Sequence, residues 1–144
     1  MPLGNVPLDK ELIKSIITFS EFNEPDTRSH ANEHCLEVQL PFIQYFKNGA
    51  KIVPIVLMQD SFDVCMDIAN AVFSAVKRAK MEGRVLLIAS SDMTHYESKT
   101  LAEEKDRIAI ENILNLDAHG LVKTVVSKGI TMCGVYAVAT VMLA

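Results

Sequence analysis

KIVPIVLMQDSFDVCMDIANAVFSAVKRAKMEGRVLLIASSD, residues 51–92, decides the reading of the fold. It opens on a short apolar run, Lys51 to Met58, rich in β-branched residues, which predicts a buried strand. Pro54 inside it suggests an edge strand or a bulge, because proline has no ladder donor. Ser61 can cap the clearest helix of the chain, which ends in a cationic turn and stops at Gly83. Arg84 to Ser90 is a second short apolar run, predicted as another buried strand. Strand, helix, strand at these lengths is a βαβ unit: adjacent parallel strands with the helix from Ser61 to Lys80 crossing between them in the right-handed sense. The expected fold class is therefore α/β, a three-layer arrangement with a mainly parallel sheet and flanking helices.

Upstream, PLDKELIKSIITF reads as a helix capped by Asp9, with Leu12, Ile13, Ile16 and Ile17 at helical spacing. A polar loop with Pro25 follows. NEHCLEVQLPFIQYFKNG is next, with Leu36, Leu40, Ile43 and Phe46 on one face. Pro41 must kink this helix or begin its second half, and Asn48-Gly49 stops it. Downstream, residues from about Lys99 to Leu116 form a mostly polar helix, DAHGLVKTVVSKG a shorter one, and GVYAVATVMLA an apolar one that other elements must cover.

The 144 residues fit one domain or part of one, and 49% hydrophobic against 22% charged residues is a globular composition. A net charge of -4 and no basic run argue against a nucleic-acid partner. Lys77, Arg78 and Lys80 read as a solvated helix end. No apolar stretch is long enough to span a bilayer, so no membrane association is expected. Three cysteines without a CxxC pair, and no cationic start followed by an apolar core, point to a reducing cytoplasm.

Three segments carry chemistry. ASSDMTHYE, Ala89–Glu97, follows the second predicted strand, where ligands of open α/β sheets gather. His95 can exchange a proton near neutrality and Asp92 can orient it, with Ser91 and Tyr96 alongside. The alternative is a plain loop in which Asp92 and Thr94 cap the next helix. In NEHCLEVQLP, residues 32–41, Glu33 and His34 open a helix and can wall the same site; a histidine beside carboxylates is also ordinary surface. In TMCGVY, residues 131–136, Cys133 precedes a glycine at a helix start, a position that favours the thiolate, the nucleophilic and metal-ligating form. Against this stands the commonest fate of a free cysteine, buried and inert. Cys35 and Cys65 read as packing residues in amphipathic helices. Topology should bring Asp92, His95 and Cys133 into one cavity at the carboxyl edge of the sheet.

EHCLEVQLPFIQYF, IVPIVL, SSDMTHYE and MCG, in this order, resemble the Memo family over essentially the whole chain. The family is similar in fold to the class III extradiol dioxygenases, which use non-haem Fe(II) and a histidine acid–base. The resemblance implies a single, partial Memo-like domain over residues 1–144. The family's N-terminal strands, its Pro-His-Ala-Gly and Ser-His-His histidine motifs and its C-terminal end have no counterpart here. It further implies that His95 takes the acid–base role, that Cys133 is the metal-side cysteine, and that His34 and Asp92 fill the remaining motif positions. Cys35 stands where serine is usual after Glu-His, and Met93 where an aromatic is usual. The expected function is a metal-dependent redox or dioxygenase-like activity in a full-length parent, with iron or another divalent metal. The alternative is a non-catalytic adaptor that holds a small molecule or peptide in the same pocket. Without the missing histidines no tightly held metal is expected in this chain, and a sheet lacking strands should leave an edge that favours self-association.

Overall fold

The computed structural model describes residues 4–31, 33–58 and 61–144. Asn32, at the head of the second motif, lies outside them. Six α-helices occur among the described residues: α1 (Lys10–Phe19), α2 (Leu40–Phe46), α3 (Phe62–Arg78), α4 (Lys99–Leu114), α5 (Ala118–Ser127) and α6 (Val135–Leu143), with a short 3₁₀ turn, Glu37–Gln39, before α2.

The local signals set these helices. The Asp9 carboxylate accepts from the Leu12 amide at 3.1 Å and starts α1. Ser61, Ser98 and Asp117 cap α3, α4 and α5 in the same way. Pro41 sits in the first turn of α2, where its missing N–H has no intrahelical acceptor to serve. It begins the second half of its segment, with the 3₁₀ turn as the first half. Gly49 and Gly83 terminate their elements in the left-handed region, at φ +82° and +72°.

The helices pack in the order α1, α3, α6, α5, α4. Leu12 and Ile16 of α1 join Val64, Ile68, Ala71, Val72 and Ala75 of α3 in one buried cluster. A second cluster joins Ala109 of α4, Leu121 and Val125 of α5, Ile130, Met132 and Val135. Cys65, Ala118 and Ala139 bridge the two. The apolar α6 lies between α3 and α5 and so finds the cover it needs. Its one buried hydroxyl, Thr140, donates to the Tyr136 carbonyl at 2.8 Å.

The predicted parallel sheet is not formed. Among the described residues there is no strand, and the single β-bridge is a parallel one between Leu8 and Ile52. Asp9 N–H donates to the Ile52 carbonyl at 2.9 Å, and Ile52 N–H to the Pro7 carbonyl at 3.0 Å. Runs 51–58 and 84–90 are not a pair of ladder strands, and α3 is no βαβ crossover. The α/β, three-layer expectation is replaced by a helical assembly. β-Branched composition reports the capacity to fill a pleated surface, but a strand exists only when a second backbone supplies its hydrogen bonds. Neither run is a fully buried strand. Val53, Ile55 and Leu57 are partly buried against the α1–α3 cluster, while Leu86 is 81% exposed and Ile88 48%.

Candidate functional site

Asp92, His95 and Cys133 come together on the surface beside the start of α6. One ligand atom from each, a carboxylate oxygen, an imidazole nitrogen and the thiol sulfur, all lie within 4.8 Å of one another. The junction is made between two loops. Ser91 to Glu97 precede α4, and Thr131 to Gly134 precede α6.

Hydrogen bonds, not a strand end, position these groups. The Asp92 amide donates to the Cys133 sulfur at 3.1 Å. The Gly134 amide donates to the Ser91 hydroxyl at 2.9 Å, and that hydroxyl donates to the Asp92 carbonyl at 2.8 Å. Gly134 is required for this approach, because a Cβ there would lie 2.5 Å from the Ser90 carbonyl oxygen. Thr131 clamps His95 twice. Its hydroxyl accepts from the His95 amide at 2.6 Å and donates to the His95 carbonyl at 3.2 Å.

The imidazole is oriented by the same residue. His95 Nδ1 lies 2.7 Å from the Thr131 carbonyl oxygen, which can only accept, so Nδ1 carries the proton. Nε2 is then the lone-pair nitrogen of the neutral ring, and it lies 3.5 Å from the Asp92 carboxylate. A carbonyl behind one nitrogen with the other free is how proteins orient an imidazole for a metal or a proton. The Asp92 side chain is 84% exposed and that of His95 31%, so the trio is open to water.

Braces to α4 hold the first loop in place. Thr94 N–H donates to the Asp106 carboxylate at 2.9 Å. Lys105 pairs with Glu97 at 2.6 Å and also donates to the Gly129 carbonyl at 3.2 Å. The Glu97–Lys105 pair is largely withdrawn from solvent, where screening is weaker than at an open surface. Ser98 is the α4 cap, so Asp92 and Thr94 are not helix caps. Tyr96 sits in the left-handed region at φ +59°, a conformation that costs a side-chain-bearing residue roughly 1–2 kcal/mol, and its ring is fully exposed, 5.9 Å from that of His95.

Glu33 and His34 do not open a helix as expected: they lie in irregular chain ahead of the Cys35-Leu36 turn and the 3₁₀ segment, and α2 begins only at Leu40. The Glu33 carboxylate accepts from the Cys35 amide at 2.6 Å, and its hydrogen bonds with Cys35 hold it below the usual carboxylate range. Burial, then the Glu33 carboxylate, push the Cys35 thiol up to about 11, and the charge of Cys133 adds to the rise. Cys35 is thus a turn residue beside the site and not a packing residue within a helix. Cys65 is the packing residue expected, fully buried in α3 with its thiol 3.5 Å from the Tyr136 carbonyl. His34 is exposed and does not join the trio. Thr131 was not singled out from the sequence as a positioning residue. Its place two residues before Cys133 was the available signal, and only contact with His95 gives it meaning.

No helix among the described residues is long and apolar enough to cross a membrane. The Memo family, described as Memo-like protein, matches residues 1–144. A MEMO1 family protein of Methanobrevibacter smithii is 39% identical over 142 residues, covering 99% of this chain and 50% of the relative. One from Sulfolobus acidocaldarius is 39% identical over 143 residues, again 99% of this chain and 50% of the relative. One from Saccharolobus islandicus is 40% identical over 134 residues, 92% of this chain and 47% of the relative. The chain spans about half the length of the curated relatives it matches. No solved structure matches it. With a family match along its whole length, and the SSDMTHYE and MCG segments joined at one site, this chain belongs to the Memo family.

Proposed function

We propose that Asp92, His95 and Cys133 belong to a divalent-metal site serving a redox reaction of the dioxygenase-like kind, with Cys133 on the metal and His95 handling protons. The observation that carries this reading is the convergence of sulfur, nitrogen and carboxylate donors within 4.8 Å. The donors fit a borderline metal held by Cys133 and Asp92: a thiolate suits zinc and iron(II), two protein ligands leave positions open, and the His95 imidazole beside them stays free for proton transfer. When bound, such a metal would act as a Lewis acid and a contact point for dioxygen. Cys133 would hold it through Sγ, with the Asp92 carboxylate available as a second anionic donor. His95 Nε2, kept free by the Thr131 carbonyl on Nδ1, would take a proton from a hydroxyl-bearing substrate and return it. Asp92, 3.5 Å away, would stabilise the imidazolium so formed. Ser91, Tyr96, Glu33 and His34 are the substrate-facing candidates around it.

A second reading is favoured by one observation, the openness of the trio. A site for oxygen chemistry excludes water, whereas a recognition site for a small molecule or peptide need not. Under that reading the same side chains orient a ligand without turnover. Exposure also makes a tightly held metal unexpected, so the metal should exchange freely and leave on dialysis against a chelator.

Cobalt(II) titration tests the metal reading. Sulfur-to-cobalt charge-transfer absorption is expected, lost in Cys133→Ser and retained in His95→Ala; absence of the band in the unaltered chain would refute it. Oxygen uptake with catechols by the iron(II)-loaded protein then separates the readings. Uptake that His95→Ala abolishes supports the enzyme, and metal binding without uptake supports the binding module.

A further inference from the structure

Lys105 stands in the middle of α4, and its side chain is only 18% exposed. Its ammonium donates to acceptors on two separate stretches of chain: the Glu97 carboxylate at 2.6 Å and the Gly129 carbonyl at 3.2 Å. Glu97 closes the loop that carries Asp92 and His95. Gly129 lies in the turn after α5, two residues ahead of Thr131, whose carbonyl receives the His95 Nδ1 proton. The ammonium therefore bridges the same two loops whose meeting forms the trio. The next residue, Asp106, grips the first loop again, through the Thr94 amide one residue before His95.

Beneath the site the loops also share an apolar floor. Ile130 and Met132 are buried in the second cluster, and Met93 packs against it from the other loop. Apolar contacts are non-directional, so they hold both loops down without fixing how one slides past the other. Charge-assisted hydrogen bonds are directional and roughly twice as strong as neutral ones. An ammonium offers three donors that can serve separate acceptors, which lets one side chain fix two loops at once. The register matters to the imidazole. A slide of about 1 Å would carry the 2.7 Å contact between His95 Nδ1 and the Thr131 carbonyl beyond hydrogen-bond range.

We propose that Lys105 is a positioning residue of this site: by bridging Glu97 and Gly129 it sets the register of the two loops, and through it the tautomer of His95 and the placement of Cys133 against Asp92. The proposal rests on reading Asp92, His95 and Cys133 as one functional site, yet its first test needs no metal. Lys105→Met keeps an unbranched apolar side chain and removes all three donors. Nitrogen NMR of the His95 ring, on the full chain at pH 8, should show the Nδ1–H tautomer alone in the unaltered protein and in Lys105→Arg. In Lys105→Met the two ring nitrogens should move toward averaged positions, with an unchanged far-ultraviolet circular dichroism spectrum showing that the variant folds. Glu97→Ala removes one anchor, leaves α4 untouched and should give the same averaging, which covers the case in which Lys105→Met does not fold. A single Nδ1–H tautomer in either variant, averaging already present in the unaltered chain, or averaging that Lys105→Arg fails to reverse would each overturn the proposal. Cobalt(II) titration separates it from the metal reading. Lys105→Met should raise the cobalt(II) dissociation constant about 10–100-fold, the usual effect of losing a supporting contact around a metal site. An unchanged constant would overturn the claim on Asp92 and Cys133. An unaltered chain that binds no cobalt(II) would refute the metal reading, and the ring NMR would still decide the role of Lys105.

Discussion

Val53, Ile55 and Leu57 alternate along one apolar run and rest on the cluster of α1 and α3, whereas Leu86, Leu87 and Ile88, in a run of the same chemical kind, face solvent. The first run has the Leu8–Ile52 bridge at its start and a helix pair beneath it. The second follows α3 through Gly83, and none of its residues is among those packed on the buried clusters. Similar composition thus leads to different burial, because burial belongs to the neighbours and not to the run. The difference also explains how the site is held. The run leading into it is unpaired, so Asp92 and His95 are fixed from ahead, by Thr131, Cys133, Gly134 and Asp106.

The largest contrast to test lies between cluster and exposed run. Ile68→Ala removes a 2%-exposed side chain from α3 and should cost about 2–5 kcal/mol. Leu86→Ala should cost within about 0.5 kcal/mol, as exposed substitutions do. Urea denaturation of both variants checks this, and equal losses would break the comparison by showing that run 84–90 is covered in solution.

Gly134→Ala comes next. Its Cβ would meet a backbone carbonyl, not a movable side chain, so one of the two loops must shift, at a cost of about 1–3 kcal/mol. The iodoacetamide rate at Cys133 should change with it, while amide exchange at Ile52 stays as it was.

Thr131→Val keeps the shape but removes the hydroxyl that bonds the His95 backbone twice. Hydrogen bonds contribute about 0.5–1.5 kcal/mol each, so a loss of roughly 1–2 kcal/mol is expected. The Nδ1 contact, made to a backbone carbonyl, should survive, and nitrogen NMR of the ring should still report the Nδ1–H tautomer.

The smallest effect concerns thiol reactivity. At pH 8 iodoacetamide should label the exposed Cys133 well before Cys35, whose thiol stays protonated. Labelling of Cys35 should climb only as pH approaches about 11. The sign follows from linkage. A thiol whose folded value is raised favours folding fully below its ordinary value of 9.0 and loses that contribution as pH rises through about 11. Glu33 runs the opposite way: its contribution is present above 4.5 and is lost as acid protonates it. Equal labelling of both cysteines at pH 8 would show that burial and the Glu33 carboxylate do not hold the Cys35 thiol protonated.

The sequence by itself determined five of the six α-helices, though not the start of α2, and the membership of the Memo family. Asp9, Ser61, Pro41, Gly49 and Gly83 act within one turn of themselves, through caps, a missing donor and left-handed backbone, so they read correctly without knowledge of the rest. It also marked Asp92, His95 and Cys133, because each is a chemically specialised side chain in a polar or glycine-bearing turn. The tertiary structure alone decided three things. It decided that runs 51–58 and 84–90 do not pair, since a ladder is a property of two backbones and neither run encodes its partner. It decided that Thr131 orients His95 from 36 residues away. And it decided that Cys35 stands beside the site and not in a helix core, because a half-buried turn residue and a packed one differ only in what surrounds them.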